Sequence, residues 1–260
     1  MNYRLAIVSV LAGLASGLLG VGGGLVVGPA LVLVGFSLPR ATGTAVTVIP
    51  FVAAISVLFE FVVASQNFSW QAPLLIFVGG QLGVFVGHRV WQKLGSSALH
   101  YLFVTLLFSA AIYNFNSALN NQFQPLVNYD FKLDVSASLL LVVSSVLAGV
   151  SAVLFGIGGG IIMVPVMVYG IEGVGFAQAS ALSLLAMIPV AISAAIKAKQ
   201  QGRADWHVAK TLIGICSLAA MAGVYLRNFA FNHQQLQTCF AVFLIYVGLR
   251  IFRRGPTPGT

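Results

Sequence analysis

The sequence predicts an all-α polytopic membrane protein made of two homologous four-segment repeats, about eight transmembrane segments in total, with helices broken by glycine. Three observations predict this fold class. The 260 residues are 59% hydrophobic and only 7% charged, whereas soluble domains carry roughly 25% charged residues. The chain resembles itself at an offset of 136 residues. Two glycine-rich stretches, 20–24 and 156–160, interrupt apolar runs that otherwise have the length of membrane helices.

The internal duplication sets the predicted domain boundaries. Residues 9–13, SVLAG, recur as residues 145–149. A segment that has an interior copy belongs to the fold, so we do not interpret the apolar N-terminus as a signal peptide. We predict a first transmembrane repeat over 1–118, a polar linker over 119–136, a second repeat over 137–254 and a disordered tail over 255–260.

Each repeat is predicted to contain the same series of helices, of which the first two form one broken segment. The series covers about 5–20, 25–36, 41–64, 72–91 and 99–118, then about 137–156, 161–171, 176–198, 208–226 and 236–252. The second helix of each series rises only about half a bilayer. Pro50 and Pro189 predict kinks in the third helices, and we expect Trp70 and Trp206 to lie at the membrane interface.

The positions of Lys and Arg leave two orientations open. Four simple spans per repeat give parallel repeats, with nine Lys and Arg residues on the side of both termini and four on the other. The positive-inside rule then places both termini in the cytoplasm. Taken separately, the first repeat carries its charge at Arg40, Arg89 and Lys93, and the second carries it over 197–210 and at the C-terminus. This opposite bias favours inverted repeats, which a broken segment allows.

The glycine breaks are the candidate binding site. Glycine costs roughly 1 kcal/mol per residue in a helix interior, and unwound backbone persists in lipid only where protein buries it or where it lines a wet cavity. A helix that begins after such a break presents free N–H groups and a positive dipole end, which suit an anion. The candidate residues are Gly20, Gly22, Gly23, Gly24, Gly156, Gly158, Gly159 and Gly160.

Two expectations follow for these breaks. We expect both to be non-helical and to lie within about 10 Å of each other, because transport sites lie at the interfaces between repeats. The alternative is that the glycines only allow helices to pack closely.

Hydroxyl and carboxyl groups supply further candidates. Thr42, Thr44, Thr47, Ser180 and Ser183 are candidate donors to an anion, with packing or bonding to a neighbouring carbonyl as the alternative.

Glu60 is the only carboxylate inside a long apolar segment. Ionisable groups are costly there, so Glu60 is a candidate for coupling transport to protons. The alternative is that Glu60 snorkels to the interface beside the polar residues 65–67.

Other kinds of chemistry have no support in the sequence. The four histidines are scattered without metal-ligand spacing, and no Ser–His–Asp set stands out. The glycine stretches lack the Lys-Ser/Thr of a P-loop and fail the dinucleotide fingerprint. The net charge of +8 comes from residues at the ends of apolar runs, not from a basic stripe with interleaved aromatics. We expect no enzyme, metal, cofactor or nucleic acid. The expected partners are a small anionic substrate and the lipid bilayer. The sequence leaves open whether the protein forms a homo-oligomer.

The two glycine motifs, followed by Pro29 and Pro165, and the segments 41–45 (ATGTA) and 177–181 (AQASA) resemble the TauE/SafE family of sulfite exporters, also called the TSUP family. The resemblance implies a multi-pass protein of the bacterial cytoplasmic membrane that transports sulfite, sulfonates or related organic anions. The second copy has Ala179-Ser180-Ala181 where the family usually has Gly-Thr-Ser, so the resemblance leaves the exact substrate open.

The leading functional hypothesis is a secondary transporter that binds its anion at the paired glycine breaks, with one half moving against the other. The alternatives are a non-transporting membrane subunit or assembly factor, and a passive anion channel.

Overall fold

The computed structural model describes residues 3–20, 22–63, 71–94, 96–119, 134–171 and 174–255. Within these ranges the regular structure is entirely α-helical. The helices are α1 (Tyr3–Leu19), α2 (Gly24–Val34), α3 (Leu38–Val63), α4 (Gln71–Lys93), α5 (Ser96–Leu119), α6 (Val135–Phe155), α7 (Gly160–Gly170), α8 (Phe176–Gln200), α9 (Trp206–Phe229) and α10 (His233–Arg254). Trp70, most of the predicted linker (120–133) and the tail from 256 lie outside the described residues.

Five of the described helices, α3, α4, α6, α8 and α9, are long and apolar enough to cross a membrane. The outward surface of the bundle is also apolar. Leu58 is 66% exposed, Val62 81% and Leu218 72%. Large apolar surfaces of this kind are rare on soluble proteins and suit lipid tails. The chain is therefore a multi-pass membrane protein, and its described part is all-helical.

Each glycine break reverses the direction of the chain. A methyl group at Gly159, immediately before α7, would lie 2.6 Å from Cβ of Ala148 in α6, and one at Gly170 would overlap Leu140 near the start of α6. α7 therefore runs back along α6. α2 lies against α1 in the same way, since a methyl group at Gly23 would lie 3.6 Å from the carbonyl oxygen of Ala12. α1–α2 and α6–α7 are thus two antiparallel hairpins.

The two halves of the chain are interlocked. α1 packs along α9, and α6 packs along α4, both in parallel. In the first contact Gly13 faces Cys216 and Gly17 faces Ala220, while in the second Gly79 faces Val142 and Gly83 faces Val146. At Gly13, Gly17 and Gly83 an added methyl group would overlap a backbone carbonyl, so only glycine allows the helices to approach this closely. The halves do not form separate bodies.

Equivalent helices of the two halves run in opposite directions. The start of α3 and the ends of α4 and α8 meet at one end of the molecule, which we name the cationic end. It carries Arg40, Arg89, Lys93, Lys197, Lys199 and Arg203. Arg40 pairs with Asp205 at 2.7 Å, Arg89 and Lys197 both lie over the ring of Phe85, and Gly43 contacts Arg203. Parallel repeats would put these groups at opposite ends, so the parallel alternative is wrong.

Candidate functional site

The two glycine breaks have nearly the same backbone geometry. Gly20, Gly22 and Gly23 have φ angles of 69°, 67° and 72°, and Gly156, Gly158 and Gly159 have φ angles of 67°, 75° and 83°. This left-handed region costs an L-residue with a side chain roughly 1–2 kcal/mol. Three such residues in one break explain why both sequences are rich in glycine. Gly24 and Gly160 are the first residues of α2 and α7.

The breaks lie directly against each other in the interior of the bundle. A methyl group at Gly24 would overlap the carbonyl oxygen of Gly156 and lie 3.0 Å from Cα of Ile157. Two side chains are shared by the breaks, because Ile49 of α3 and Met187 of α8 lie next to both Gly22 and Gly158. The unwound backbone is thus enclosed by protein, as the cost of exposing it to lipid requires.

Two helix N-termini point into this region from opposite directions. α2 begins after Gly23 and runs towards the cationic end, and α7 begins after Gly159 and runs away from it. Neither start has a side-chain cap. The N–H groups of a first helical turn have no partner within the helix, and the helix dipole adds partial positive charge there. The arrangement concentrates positive potential without a charged side chain.

The three candidate threonines bond to their own helix. Thr42, Thr44 and Thr47 donate to the carbonyl oxygens of Pro39, Arg40 and Gly43 at 3.1, 2.7 and 2.8 Å. Thr44 also accepts from the backbone N–H of Asp205 at 3.0 Å. Their hydroxyl protons are therefore occupied by neighbouring carbonyls, and Thr44 fastens the loop between α8 and α9 to α3.

Serine hydroxyls from both halves of the chain lie at the first break. Ser183 donates to the carbonyl oxygen of Gly20 at 3.3 Å, and Ser180 lies against Gly20. The hydroxyl of Ser180 is buried and has no hydrogen-bond partner among the described residues. The same is true of Ser16, which faces Gly23. Buried hydroxyls are normally bonded, so these two can donate to a bound molecule.

Ser16 was not predicted from the sequence. The duplication gives no signal for it, because its counterpart in the second half is Ala152. The fold brings Ser16 to the site only because α2 turns back along α1.

Glu60 does not snorkel to the interface. It is 1% exposed and forms an ion pair with Arg227 of α9. Nδ2 of Asn228 also donates to both carboxylate oxygens of Glu60, at 3.3 and 3.4 Å. A buried carboxylate is retained only with such partners. The snorkelling alternative is therefore wrong, and any role of Glu60 in proton coupling stays a prediction.

Arg227 is a second candidate that no sequence pattern indicates, since it lies 167 positions from its partner Glu60. A lone acid in an apolar segment does imply a basic partner, and this was the available signal.

The described residues contain no cluster of three or more His, Cys, Asp or Glu side chains that could hold a metal ion. Among the side chains that the structure describes, the charged ones that are buried are Glu60, Arg203 and Arg227. The breaks themselves offer backbone dipoles and hydroxyl groups.

The proteins to which this chain is similar are described as membrane transporters or exporters. A family model described as sulfite exporter TauE/SafE matches residues 1–114 and 141–260, which include both glycine breaks. A probable membrane transporter protein of Methanocaldococcus jannaschii is 29% identical over 170 residues, which cover 63% of this chain and 60% of that protein. The match thus spans less than two thirds of that relative's length. A probable membrane transporter protein of Xylella fastidiosa is 23% identical over 251 residues, covering 94% of this chain and 92% of the relative. The chain belongs to the sulfite exporter TauE/SafE family, a family of membrane transporters and not of enzymes.

Proposed function

We propose that the protein is a secondary transporter of a small sulfur-containing anion, such as sulfite or a sulfonate, which binds at the paired glycine breaks. One observation carries the proposal. The uncapped N-termini of α2 and α7 approach the same interior region from opposite directions. Helix N-termini bind anions through free N–H groups and the helix dipole. An oxyanion has several acceptor oxygens, so it can accept from both starts at once.

The hydroxyl groups of Ser16 and Ser180 support the proposal. Both are buried beside the first break without a partner among the described residues. An anion held by backbone N–H groups and hydroxyls needs no buried lysine, whose desolvation is costly. Neutral donors also hold the anion less tightly than a salt bridge, which favours release on the other side of the membrane.

The membrane arrangement is part of the proposal. α1–α2 enters the bilayer from the cationic end and returns to it, whereas α6–α7 enters from the opposite end, and the other six helices cross. Eleven residues of α2 rise about 16 Å, roughly half of the hydrocarbon thickness, so the breaks lie near the bilayer midplane. The positive-inside rule assigns the cationic end to the cytoplasm.

Alternating access is proposed to involve two bodies that each contain helices of both halves. α1 and α2 stay with α9, and α6 and α7 stay with α4, because each set is joined by close contacts between glycine and backbone. α3 packs on α9 and joins the first set, and α8 packs on α4 and joins the second. The two sets meet where α3 packs on α8 and where the breaks touch. A shift at this contact would expose the breaks to one side and then to the other.

The proposed function is tested by uptake of radiolabelled sulfite and methanesulfonate into proteoliposomes that contain the purified protein. A coupled carrier gives saturable uptake and accumulation that a protonophore dissipates, because the chain has no nucleotide-binding motif to supply energy. Flux that does not saturate would identify a passive anion channel. Absence of flux above that of protein-free liposomes would favour a non-transporting subunit.

A further inference from the structure

Arg227 is a buried cation whose hydrogen-bonding capacity is only partly used. Its side chain is fully buried, and Nη2 donates to Oε2 of Glu60. Nε and Nη1 are also buried, and neither has a hydrogen-bond partner among the described residues. A guanidinium has five N–H donors, and buried donors without partners are costly. Nε and Nη1 of Arg227 can therefore donate to a further acceptor.

The packing of α1 on α9 places Arg227 close to the proposed transport route. Along this parallel contact Gly13 faces Cys216, and Gly17 faces Ala220 and Val224. At the same register Gly20, where the first break begins, is level with Gly223, and Arg227 lies one turn further along α9. Arg227 thus lies between the paired breaks and the end of the molecule opposite to the cationic end.

We infer that Arg227 is an anion-binding residue of the transport route, and that Glu60 occupies in this conformation the position taken by an oxygen of the passing anion. The inference rests on the proposed function and adds a residue to it. A carboxylate and a sulfur oxyanion offer a guanidinium the same pair of charged acceptor oxygens. The two therefore compete for Arg227.

Asn228 makes this exchange feasible. Its Nδ2 already donates to Glu60, at 3.3 and 3.4 Å, and to the carbonyl oxygen of Val224 at 3.0 Å. When an anion takes Arg227, Glu60 keeps the amide of Asn228 as a partner. The displaced carboxylate is then not left without a hydrogen bond, which would be costly in this interior.

The opposite end of the molecule provides a contrast. At the offset of the duplication, Trp91 stands in place of Arg227 and Ile196 in place of Glu60. The guanidinium of Arg203 lies 4.4 Å above the ring of Trp91 and donates to the side chain of Gln201 at 2.6 Å. An anion entering from the cationic end meets an arginine with a neutral partner, whereas Arg227 is held by an acid. A carboxylate thus competes with the anion for an arginine at one end of the molecule only.

The test compares anion binding by the purified full-length protein and two variants, Glu60→Gln and Glu60→Gln combined with Arg227→Gln. The probes are sulfite and methanesulfonate, with chloride at the same ionic strength as the reference, and dissociation constants come from the shift of the thermal midpoint with probe concentration. Removing the competing carboxylate should tighten binding by about tenfold or more in Glu60→Gln. The double variant should lose this gain, because the guanidinium is absent.

Equal affinity in Glu60→Gln and the wild type would overturn the inference, as would a double variant that binds as tightly as Glu60→Gln. If Glu60→Gln is too unstable to purify in chloride, methanesulfonate should restore a folded, monodisperse protein, and failure to restore it would also contradict the inference. Saturable transport by the wild type together with unchanged binding by Glu60→Gln would refute the role of Arg227 alone. Absence of both binding and transport in the wild type would instead refute the proposed function.

Discussion

The left-handed glycines show how single residues determine the fold of this protein. Gly159 has φ of 83°, a backbone conformation in which a side chain is strained. A methyl group there would also lie 2.6 Å from Cβ of Ala148, so no larger residue fits. Gly202 has φ of 67° with nothing within 4 Å, so a side chain there meets strain alone. The first kind of position holds two helices together, and the second only turns a loop.

The buried ion pair should dominate the stability of the contact between α3 and α9. Removing one partner of a buried pair costs about 3–5 kcal/mol, because the other charge is left uncompensated. We expect Arg227→Met to lower the thermal midpoint in detergent strongly, and Glu60→Leu combined with Arg227→Met to recover most of the loss. Arg40→Met is the control, because Arg40 is 60% exposed in its pair with Asp205 and such pairs contribute at most about 1 kcal/mol. Equal losses for Arg227→Met and Arg40→Met would contradict this account.

The sequence allowed some of the residues at the breaks to be predicted and not others. A run of glycines in an apolar segment has few explanations, so both breaks could be located from local patterns. The hydrogen-bond partner of each hydroxyl could not be predicted, because it depends on which neighbour lies nearest in the folded chain. Thr47 bonds to Gly43 in its own helix, whereas Ser183 bonds to Gly20 in the other half of the chain. Arg227 was missed for the same reason, since its environment comes from a distant segment.

At the scale of helices, the start of α9 depends on Asp205. Its carboxylate accepts from the N–H groups of Val208 and His207, at 3.2 and 3.1 Å. The N–H of Val208, followed by the Arg40 guanidinium, holds the pKa of Asp205 below its ordinary value. The ionised carboxylate therefore stabilises the fold above the unfolded pKa of about 3.9, and this contribution is lost as pH falls through the lower folded pKa.

We expect Asp205→Ala to reduce the stability of the protein by about 1 kcal/mol at pH 7, which is typical of a lost N-cap. The difference from the wild type should shrink below about pH 4. Thermal midpoints in detergent at pH 7, 5 and 3 measure both effects. Asp205→Asn is the matched control, since it retains a capping oxygen but has no charge to lose. A difference between Asp205→Ala and the wild type that is unchanged at pH 3 would show that the charge is irrelevant.

Helix positions were predicted well because apolar runs bounded by glycine and polar residues have clear ends. The predicted 25–36 and 161–171 correspond to Gly24–Val34 and Gly160–Gly170. Their direction was not predictable from hydrophobicity. A short apolar helix after a break can continue across the membrane or turn back, and the choice depends on contacts such as Gly170 with Leu140. The parallel interpretation failed at this step, because it counted each broken segment as one crossing.

At the scale of the whole molecule, the opposite direction of equivalent helices can be tested by labelling from each side of the membrane. With Cys216 and Cys239 replaced by serine, we expect Gln92→Cys and Gln200→Cys to react with an impermeant maleimide from the same side. Gln234→Cys should react from the other side. All three positions are exposed and lie near the ends of α4 and α8 and the start of α10. Labelling of Gln92→Cys and Gln200→Cys from opposite sides would contradict the fold.

The measurement that tests the central claim most directly is equilibrium binding of radiolabelled sulfite to the purified protein and to Gly23→Leu and Gly159→Leu. The proposed anion site lies at the N-termini of α2 and α7, so each variant should insert into the membrane but lose saturable binding. Gly214→Leu is the control, because a side chain there has open space around it, and it should bind as the wild type does. Undiminished binding by either Gly23→Leu or Gly159→Leu would show that the paired breaks are not the anion site.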